Sequence, residues 1–424
     1  MTQDQAFKIL NSGANVFLTG RAGTGKSYLL NKFIEHSEKI KNKNVAVTAS
    51  TGISATHING TTIHSWSGIG ITKEEEWNPI KLSSIITNNR IVERIQNTDI
   101  LIIDEISMIH AYQLDAVHEI LSIIKGKDLP FGGIQTIIVG DMNQLPAVGN
   151  NAKYVFDSKI WKEADLKVCY LTHNYRQDDP IFIDILNEVR QGVFKQSSFD
   201  ILESCIKKRL TISNPTELYS KNIDVDLINS KKLALIDQPS KFYKMVEVGK
   251  EYAIKNLKKN CLSPEKLEVK EGALVMFTKN NYELGYINGT QGKIIGYNKI
   301  GIPIVETLDG RQIEPTYEKW EAQDINPKTG KYEVIAKIVQ LPLKLAFAIT
   351  IHKSQGCTMD FAKMNLSNMF AHNMGYVALS RVKSLEGLTL MALDKSIYLV
   401  DPLILQKDLE FQQESLQLVS TLNN

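Results

Sequence analysis

Cysteine is scarce and scattered: Cys169, Cys205, Cys261 and Cys357 form no C-x-x-C pair, which argues against a zinc site, an iron–sulfur cluster or a disulfide framework. A reducing, intracellular, cytoplasmic setting fits that usage, nucleoid-associated if the source is bacterial. Surplus charge is lacking too. The 49 Lys and Arg against 47 Asp and Glu leave a formal net charge of +2, so bulk composition announces no polyanionic partner and any nucleic-acid groove has to be local. No window approaches the uninterrupted apolar length of a membrane span. The start, MTQDQAFKIL, lacks the basic residues and apolar core of a secretory signal. A soluble protein with no membrane partner is expected, and neither repeats nor low-complexity segments are found.

What is present is ample for two or three globular domains: 424 residues, 43% hydrophobic and 23% charged. From 15 to 140, short apolar runs (Val16 to Leu18, Val45 to Val47, Ile100 to Ile103, Ile134 to Val139) alternate with longer amphipathic stretches, the pattern of βαβ units and a parallel sheet. A polar stretch at about 66–95, with Lys73, three consecutive glutamates and Pro79, is expected to be a small inserted subdomain. Helical spacing resumes with Ile181, Ile185, Leu186 and Val189, opening a second α/β domain. Between 272 and 340 the runs shorten and are split by Asn-Gly and Asp-Gly pairs, which favours hairpins and a small β-barrel inserted in that domain. The expected boundaries are 1–175 and 176–424.

The segment GRAGTGKS, Gly20 to Ser27, satisfies G-x-x-x-x-G-K-[ST], follows the strand-like NVFLT and opens an amphipathic helix. Gly20, Ala22, Gly23, Thr24 and Gly25 form a loop whose N–H groups converge on phosphates. Lys26 is suited to neutralise the β and γ phosphates of ATP, and the Ser27 hydroxyl to ligate Mg²⁺. After Ile100 to Ile103 come Asp104 and Glu105. Alone they read as a solvated strand end; behind a phosphate loop they read as a Mg²⁺ holder (Asp104) and the base that orients and deprotonates water (Glu105). A further strand ends in GDMNQLP, where Gln144 is either a sensor of the γ-phosphate or part of a turn capped by Asp141. Arg176 and Arg381 stand among small or apolar neighbours; each is either a salt-bridge partner or the cation that phosphoryl transfer needs.

Taken in order, these segments resemble the Pif-type helicases, the RecD-related branch of helicase superfamily one, over nearly the whole chain. GRAGTGKS resembles the first motif, LIIDEISM the second and VGDMNQLPAVG the third. LTHNYRQDD resembles the fourth, AITIHKSQGCTMD the fifth and YVALSRVKSLEGL the sixth. TASTGISA and GTTIHSW resemble early DNA-contacting motifs, bringing in Thr51, Gly52, Thr62 and His64. The resemblance implies that Gln5 reads adenine, that Arg176 and Arg381 are arginine fingers, that Gln355 and Gly356 approach the nucleotide, and that Thr350, His352 and Lys353 lie along DNA. It also implies an α/β fold of two RecA-like parallel-sheet domains, a small wedge insertion in the first and a Src-homology-three-like barrel in the second. The implied activity is ATP-dependent 5′-to-3′ translocation on single-stranded DNA with unwinding of tailed or forked duplex, G-quadruplex or RNA–DNA hybrid among possible targets, in replication, repair, recombination or telomere maintenance. Ala147, Cys357 and Tyr175 depart mildly from the pattern.

A motor that passes over any sequence needs backbone donors and stacking surfaces rather than base-edge readers. Thr51, Thr62, His64, His352 and Lys353 suit that in kind. Trp66 is either a base-stacking surface or a core residue. The protein is expected to be monomeric when free. The main rival is a nucleotide-gated DNA-binding ATPase without unwinding activity; RNA preference and a vestigial ATP site are weaker rivals.

Overall fold

A computed structural model of the chain describes residues 1–58, 60–70, 74–147, 153–210, 215–220, 225–281, 283–286, 288–307, 310–325 and 332–422. They form two compact units: Met1–Tyr175 with Ala322–Ile335 and Pro402–Asn424, and Arg176–Glu321 with Ala336–Asp401.

The first unit is built on six parallel strands, β1 (Val16–Gly20), β2 (Val45–Ala49), β3 (Thr61–Thr62), β4 (Ile100–Asp104), β5 (Gln135–Val139) and β6 (Lys167–Leu171), in the order β3-β2-β4-β5-β1-β6. Every residue of β1 is buried, as expected of a parallel strand covered on both faces. Alternate residues serve opposite layers: Phe17, Leu101, Ile103 and Ile138 join one core, while Val16, Leu18, Ile100, Ile102, Ile137 and Val139 join the other. Helix α1 (Gln3–Asn11) starts at a capping box between Thr2 and Gln5. Helix α2 (Lys26–Lys39) starts directly from the glycine-rich loop.

Within the polar stretch at 66–95, helices Pro79–Ile86 and Asn89–Gln96 are capped by Asn78 and Asn88. They send Ile85 and Ile95 into the first core beside Trp66; Lys73 lies outside the described residues. The helix Pro402–Leu422, expected to belong with the second domain, packs on the first unit. The ring of Phe411 meets that of Phe17 edge-on at 5.0 Å. The Tyr170 N–H donates to Ser415 Oγ at 3.0 Å, and the Tyr170 hydroxyl donates to the Asp408 carboxylate at 3.2 Å. The amphipathic pattern shows that the helix needs a partner but not which sheet provides it. Among the described residues no helix is long and apolar enough to cross a membrane.

The second unit has a four-stranded parallel sheet ordered Ala348–Thr350, Thr216–Tyr219, Ala362–Leu366, Leu388–Leu393. Inserted in the chain between its first two strands are antiparallel sheets of two, five and three strands. Their described strands begin at Lys241–Lys244, upstream of the hairpin-rich segment at 272–340, and end at Leu343–Leu345. The Asn288-Gly289 pair makes a tight turn, with Gly289 at φ 95°. A Cβ on Gly289 would lie 2.8 Å from the Thr358 carbonyl oxygen, so that close approach requires glycine.

Candidate active site

The loop after β1 is shaped by its glycines. Gly20 has φ 142°, and a Cβ there would lie 2.5 Å from the carbonyl oxygen of Leu171 on neighbouring β6. Gly23 and Gly25 have φ 86° and 79°, left-handed values that bend the chain into α2. Gly25 caps that 14-residue helix, whose positive dipole end therefore falls at Lys26 and Ser27. The loop is braced from within: Thr24 Oγ1 donates to Arg21 O at 2.9 Å, and the Tyr175 N–H donates to Gly23 O at 2.8 Å. Lys26 Nζ donates to Gly20 O at 2.8 Å and Arg21 O at 3.1 Å, so the ammonium sits over the loop. Ala22 is buried and Ser27 exposed.

β5 alone separates β4 from β1, so the ends of β4, β5 and β1 are contiguous at the carboxyl edge of the sheet, where open α/β folds bind ligands. Asp104 ends β4. Burial, then the neighbouring Glu105 charge, push its carboxyl up to about 7, against the opposing effects of the Glu105 N–H and the Lys26 charge. That N–H donates to Asp104 Oδ1 at 2.8 Å. Glu105 itself is left-handed, φ 53° and ψ 46°, a strained state for a non-glycine residue. At the end of β5, Gly140 lets the chain pass Ile106, whose backbone N would lie 3.0 Å from an added Cβ. The following turn is capped by Asp141, which accepts from the Asn143 N–H at 3.0 Å, and Gln144 is buried beside it. The turn is thus present, and it follows β5, the strand that neighbours the one ending at Asp104.

Two residues at this edge escaped sequence reasoning. Asn143 is fully buried with both amide atoms lacking a hydrogen-bond partner, a condition that costs about 1–3 kcal/mol per group. Its place within GDMNQLP was the available signal. Gln3 reaches the loop, its Nε2 donating to Gly25 O at 3.4 Å. Gln5 is occupied in the helix cap, its Oε1 accepting from the Thr2 N–H at 2.9 Å.

The DNA-contact candidates of the first unit follow β2 and β3. Thr51 Oγ1 pairs with Ser54 Oγ at 2.9 Å, and Gly52 begins the next helix. Thr62 caps a short helix through the Ser65 N–H at 3.2 Å. His64 is half-buried; desolvation holds its imidazole below the ordinary value despite a hydrogen bond with Gln113. Trp66 is 3% exposed and belongs to the core, not to a base-stacking surface.

The second unit gathers the two arginines. Arg176 donates to Ser380 O at 3.0 Å. Arg381, 1% exposed, donates through Nε to Val377 O at 2.8 Å and through its terminal nitrogens to Ser380 Oγ at 2.7 Å, Ser354 O at 3.4 Å and Cys357 O at 3.5 Å. Those carbonyls flank Gln355, which is buried, and Gly356, at φ 79°. Thr350 is buried at the end of its strand and His352 is exposed; the Lys353 side chain lies outside what is described. Unit one thus offers a phosphate cradle with two carboxylates at its rim, and unit two a buried guanidinium beside a half-buried one.

The family model for PIF1-like helicases matches residues 2–199. The chain is 39% identical to the ATP-dependent DNA helicase Pif1 of Psychrobacter sp. (strain PRwf-1) over 98% of its own length and 72% of that protein. A crystal structure of Bacteroides sp Pif1 in complex with ADP-AlF4 matches with a TM-score of 0.85 at 28% identity, covering 97% of this chain and 96% of that one. A Pif1 helicase from Bacteroides solved in complex with ADP-AlF3 and ssDNA matches with a TM-score of 0.63 at 31% identity, covering 98% and 97%.

Proposed function

The chain belongs to the Pif1-like helicase family, and from that membership we propose that it is an ATP-driven motor that moves 5′ to 3′ on single-stranded DNA and unwinds tailed or forked duplex. The observation that carries this is the convergence at one sheet edge of the Gly20–Ser27 loop, Lys26, the Asp104–Glu105 pair and Gln144. Such an edge binds and hydrolyses a nucleoside triphosphate, and the family puts that hydrolysis to work on DNA.

The roles follow from chemistry. The loop amides and the end of α2 take the phosphates, with Lys26 moving from the Gly20 and Arg21 carbonyls to phosphate oxygens. The donor set fits Mg²⁺: a hydroxyl at Ser27, and at Asp104 a half-buried carboxylate whose charge is disfavoured by its surroundings and relieved by a cation. Among the described residues no cluster of three or more His, Cys, Asp or Glu stands ready as a cage, which agrees with an ion held by one or two protein oxygens and the substrate's phosphates. When bound, Mg²⁺ neutralises charge on the phosphates. Glu105 orients and deprotonates the attacking water, Gln144 senses the γ-phosphate, and Arg176 and Arg381 stabilise the charge that develops on the transferred phosphoryl group. Thr51, Gly52, Thr62, His64, Thr350, His352 and Lys353 are assigned to the strand, Gln5, Gln355 and Gly356 to the nucleotide. The free protein is taken to be a monomer acting inside the cell.

ATP hydrolysis with and without single-stranded DNA, run beside unwinding of duplexes carrying a 5′ or a 3′ tail with Lys26→Ala as the blank, tests this. Stimulation by DNA and unwinding from the 5′ tail alone are expected. Hydrolysis indifferent to DNA with no unwinding from either tail would leave a nucleotide-gated DNA-binding ATPase instead.

A further inference from the structure

A cavity of about 620 Å³ opens in the second unit, lined by Lys207, Lys208, Arg209 and Lys363 around an apolar floor that includes Leu210 and Leu390. It lies toward the amino-terminal ends of the parallel strands Ala362–Leu366 and Leu388–Leu393. None of its lining residues belongs to the motif segments, and neither Arg176 nor Arg381 lines it.

In a chain with a net charge of only +2, four cations around one cavity are a local concentration. Their charge is poorly offset. Lys363 Nζ lies 3.2 Å from Glu217 Oε1, but Lys232 shares the same oxygen at 3.0 Å. Lys208 Nζ donates to the Leu385 carbonyl at 2.9 Å. The side chains of Lys207 and Arg209 are exposed and make no hydrogen bond or ion pair among the described residues.

The backbone that presents them is pinned. Lys207 is left-handed, φ 55°, and its N–H donates to Leu390 O at 3.0 Å, while the Leu390 N–H donates to Cys205 O at 2.9 Å and Thr389 Oγ1 to Lys208 O at 2.9 Å. Strain held this firmly is typical of functional positions. Among the described residues no aromatic side chain lines the cavity, so they offer no platform on which an unpaired base would stack. Cations without stacking surfaces recognise phosphate groups irrespective of sequence.

We propose that this cavity is a second nucleic-acid contact that holds the phosphodiester backbone of the DNA substrate, in the duplex arm of a fork rather than in the translocating single strand. The inference rests on the assignment of DNA as substrate. Phosphate oxygens accept from Lys207 and Arg209, and Lys363 and Lys208 add longer-range attraction.

The test is the double variant Lys207→Gln/Arg209→Gln, which removes two exposed charges without disturbing a bond. Affinity for a forked duplex and for a short single-stranded oligonucleotide is measured by fluorescence anisotropy across a salt titration, with ATPase stimulation by single-stranded DNA as the control for the motor. Loss of two phosphate contacts flattens the slope of log affinity against log salt on the fork by about 2 and weakens fork binding roughly tenfold. Oligonucleotide affinity and stimulated ATPase stay at wild-type values. An unchanged fork slope with intact ATPase overturns the cavity assignment and leaves the helicase standing. Equal weakening on fork and oligonucleotide overturns its placement on the duplex arm. Wild-type ATPase that ignores DNA fails the helicase assignment itself, independently of the variant.

Discussion

Asp104→Asn should make the protein more stable while stopping its chemistry. The Asp104 carboxyl is pushed up to about 7 from 3.8, first by burial and then by Glu105. That rise corresponds to at most about 4 kcal/mol of disfavoured charge. The folded state binds this proton more tightly than the unfolded chain, so stability falls as pH rises from about 4 and the loss is complete above about 7. Asparagine is neutral throughout and keeps the Oδ1 that accepts from the Glu105 N–H. At pH 8 the variant should gain about 1–3 kcal/mol, shrinking to less than half of that at pH 5 and vanishing only below about pH 4, while ATP hydrolysis falls by about 10²-fold or more. Urea unfolding at the two pH values, followed by tryptophan fluorescence, reads this well because Trp66, Trp77 and Trp161 report on the first unit. A variant no more stable than wild type at pH 8, or one whose advantage persists unchanged at pH 5, would refute the account of a desolvated, disfavoured charge.

Gly20→Ala places a Cβ 2.5 Å from the Leu171 carbonyl oxygen at φ 142° and should cost about 3 kcal/mol or more; a melting temperature within about 2 °C of wild type would contradict it. Arg381→Lys cannot reproduce the fork that reaches Ser354 O, Cys357 O and Ser380 Oγ. Its kcat should fall about 10²- to 10³-fold with ATP affinity within about threefold, so steady-state kinetics showing a KM effect alone would remove Arg381 from transition-state stabilisation. Trp66→Ala should cost about 3–5 kcal/mol of stability as a core truncation. A tenfold loss of single-strand affinity at unchanged stability would restore the base-stacking role.

What was legible beforehand follows from how local each cause is. The phosphate loop is read from spacing because glycines at Gly20, Gly23 and Gly25 are required by the loop's own backbone angles. The strands Val16–Gly20 and Ile100–Asp104 are read because both faces are buried, which leaves unbroken apolar runs. Strand order is not written in any local pattern, so the placing of the strand that ends at Asp104 beside the one that leads to Gln144 emerges only from the sheet. The destination of Pro402–Leu422 depends on Phe17 and Tyr170, far away in the chain. Gln3 over the loop and the unsatisfied Asn143 are likewise products of packing, since a lone amide residue carries no signal of burial. Trp66 shows the converse: a suitable residue in a suitable motif that packing assigns to the core.

Glu105 combines a functional side chain with a strained backbone, and two substitutions separate them. Its left-handed conformation, φ 53° and ψ 46°, costs a non-glycine residue roughly 1–2 kcal/mol. Its charge adds to the penalty on Asp104. Glu105→Gln removes only the charge, while Glu105→Gly removes the charge and most of the backbone strain, offset in part by the greater entropy of glycine in the unfolded chain. Both should lose hydrolysis, since neither retains a base. At pH 8 both should be more stable than wild type, and the advantage of Glu105→Gln should fade toward pH 5 as the Asp104 carboxyl becomes protonated. The margin of glycine over glutamine, about 0.5–1 kcal/mol, should be the same at both pH values because backbone strain does not titrate. Urea unfolding of the three proteins decides it. A glycine variant no more stable than the glutamine variant at pH 5 would mean that contacts of the side chain, not tolerated strain, hold the loop in its left-handed turn.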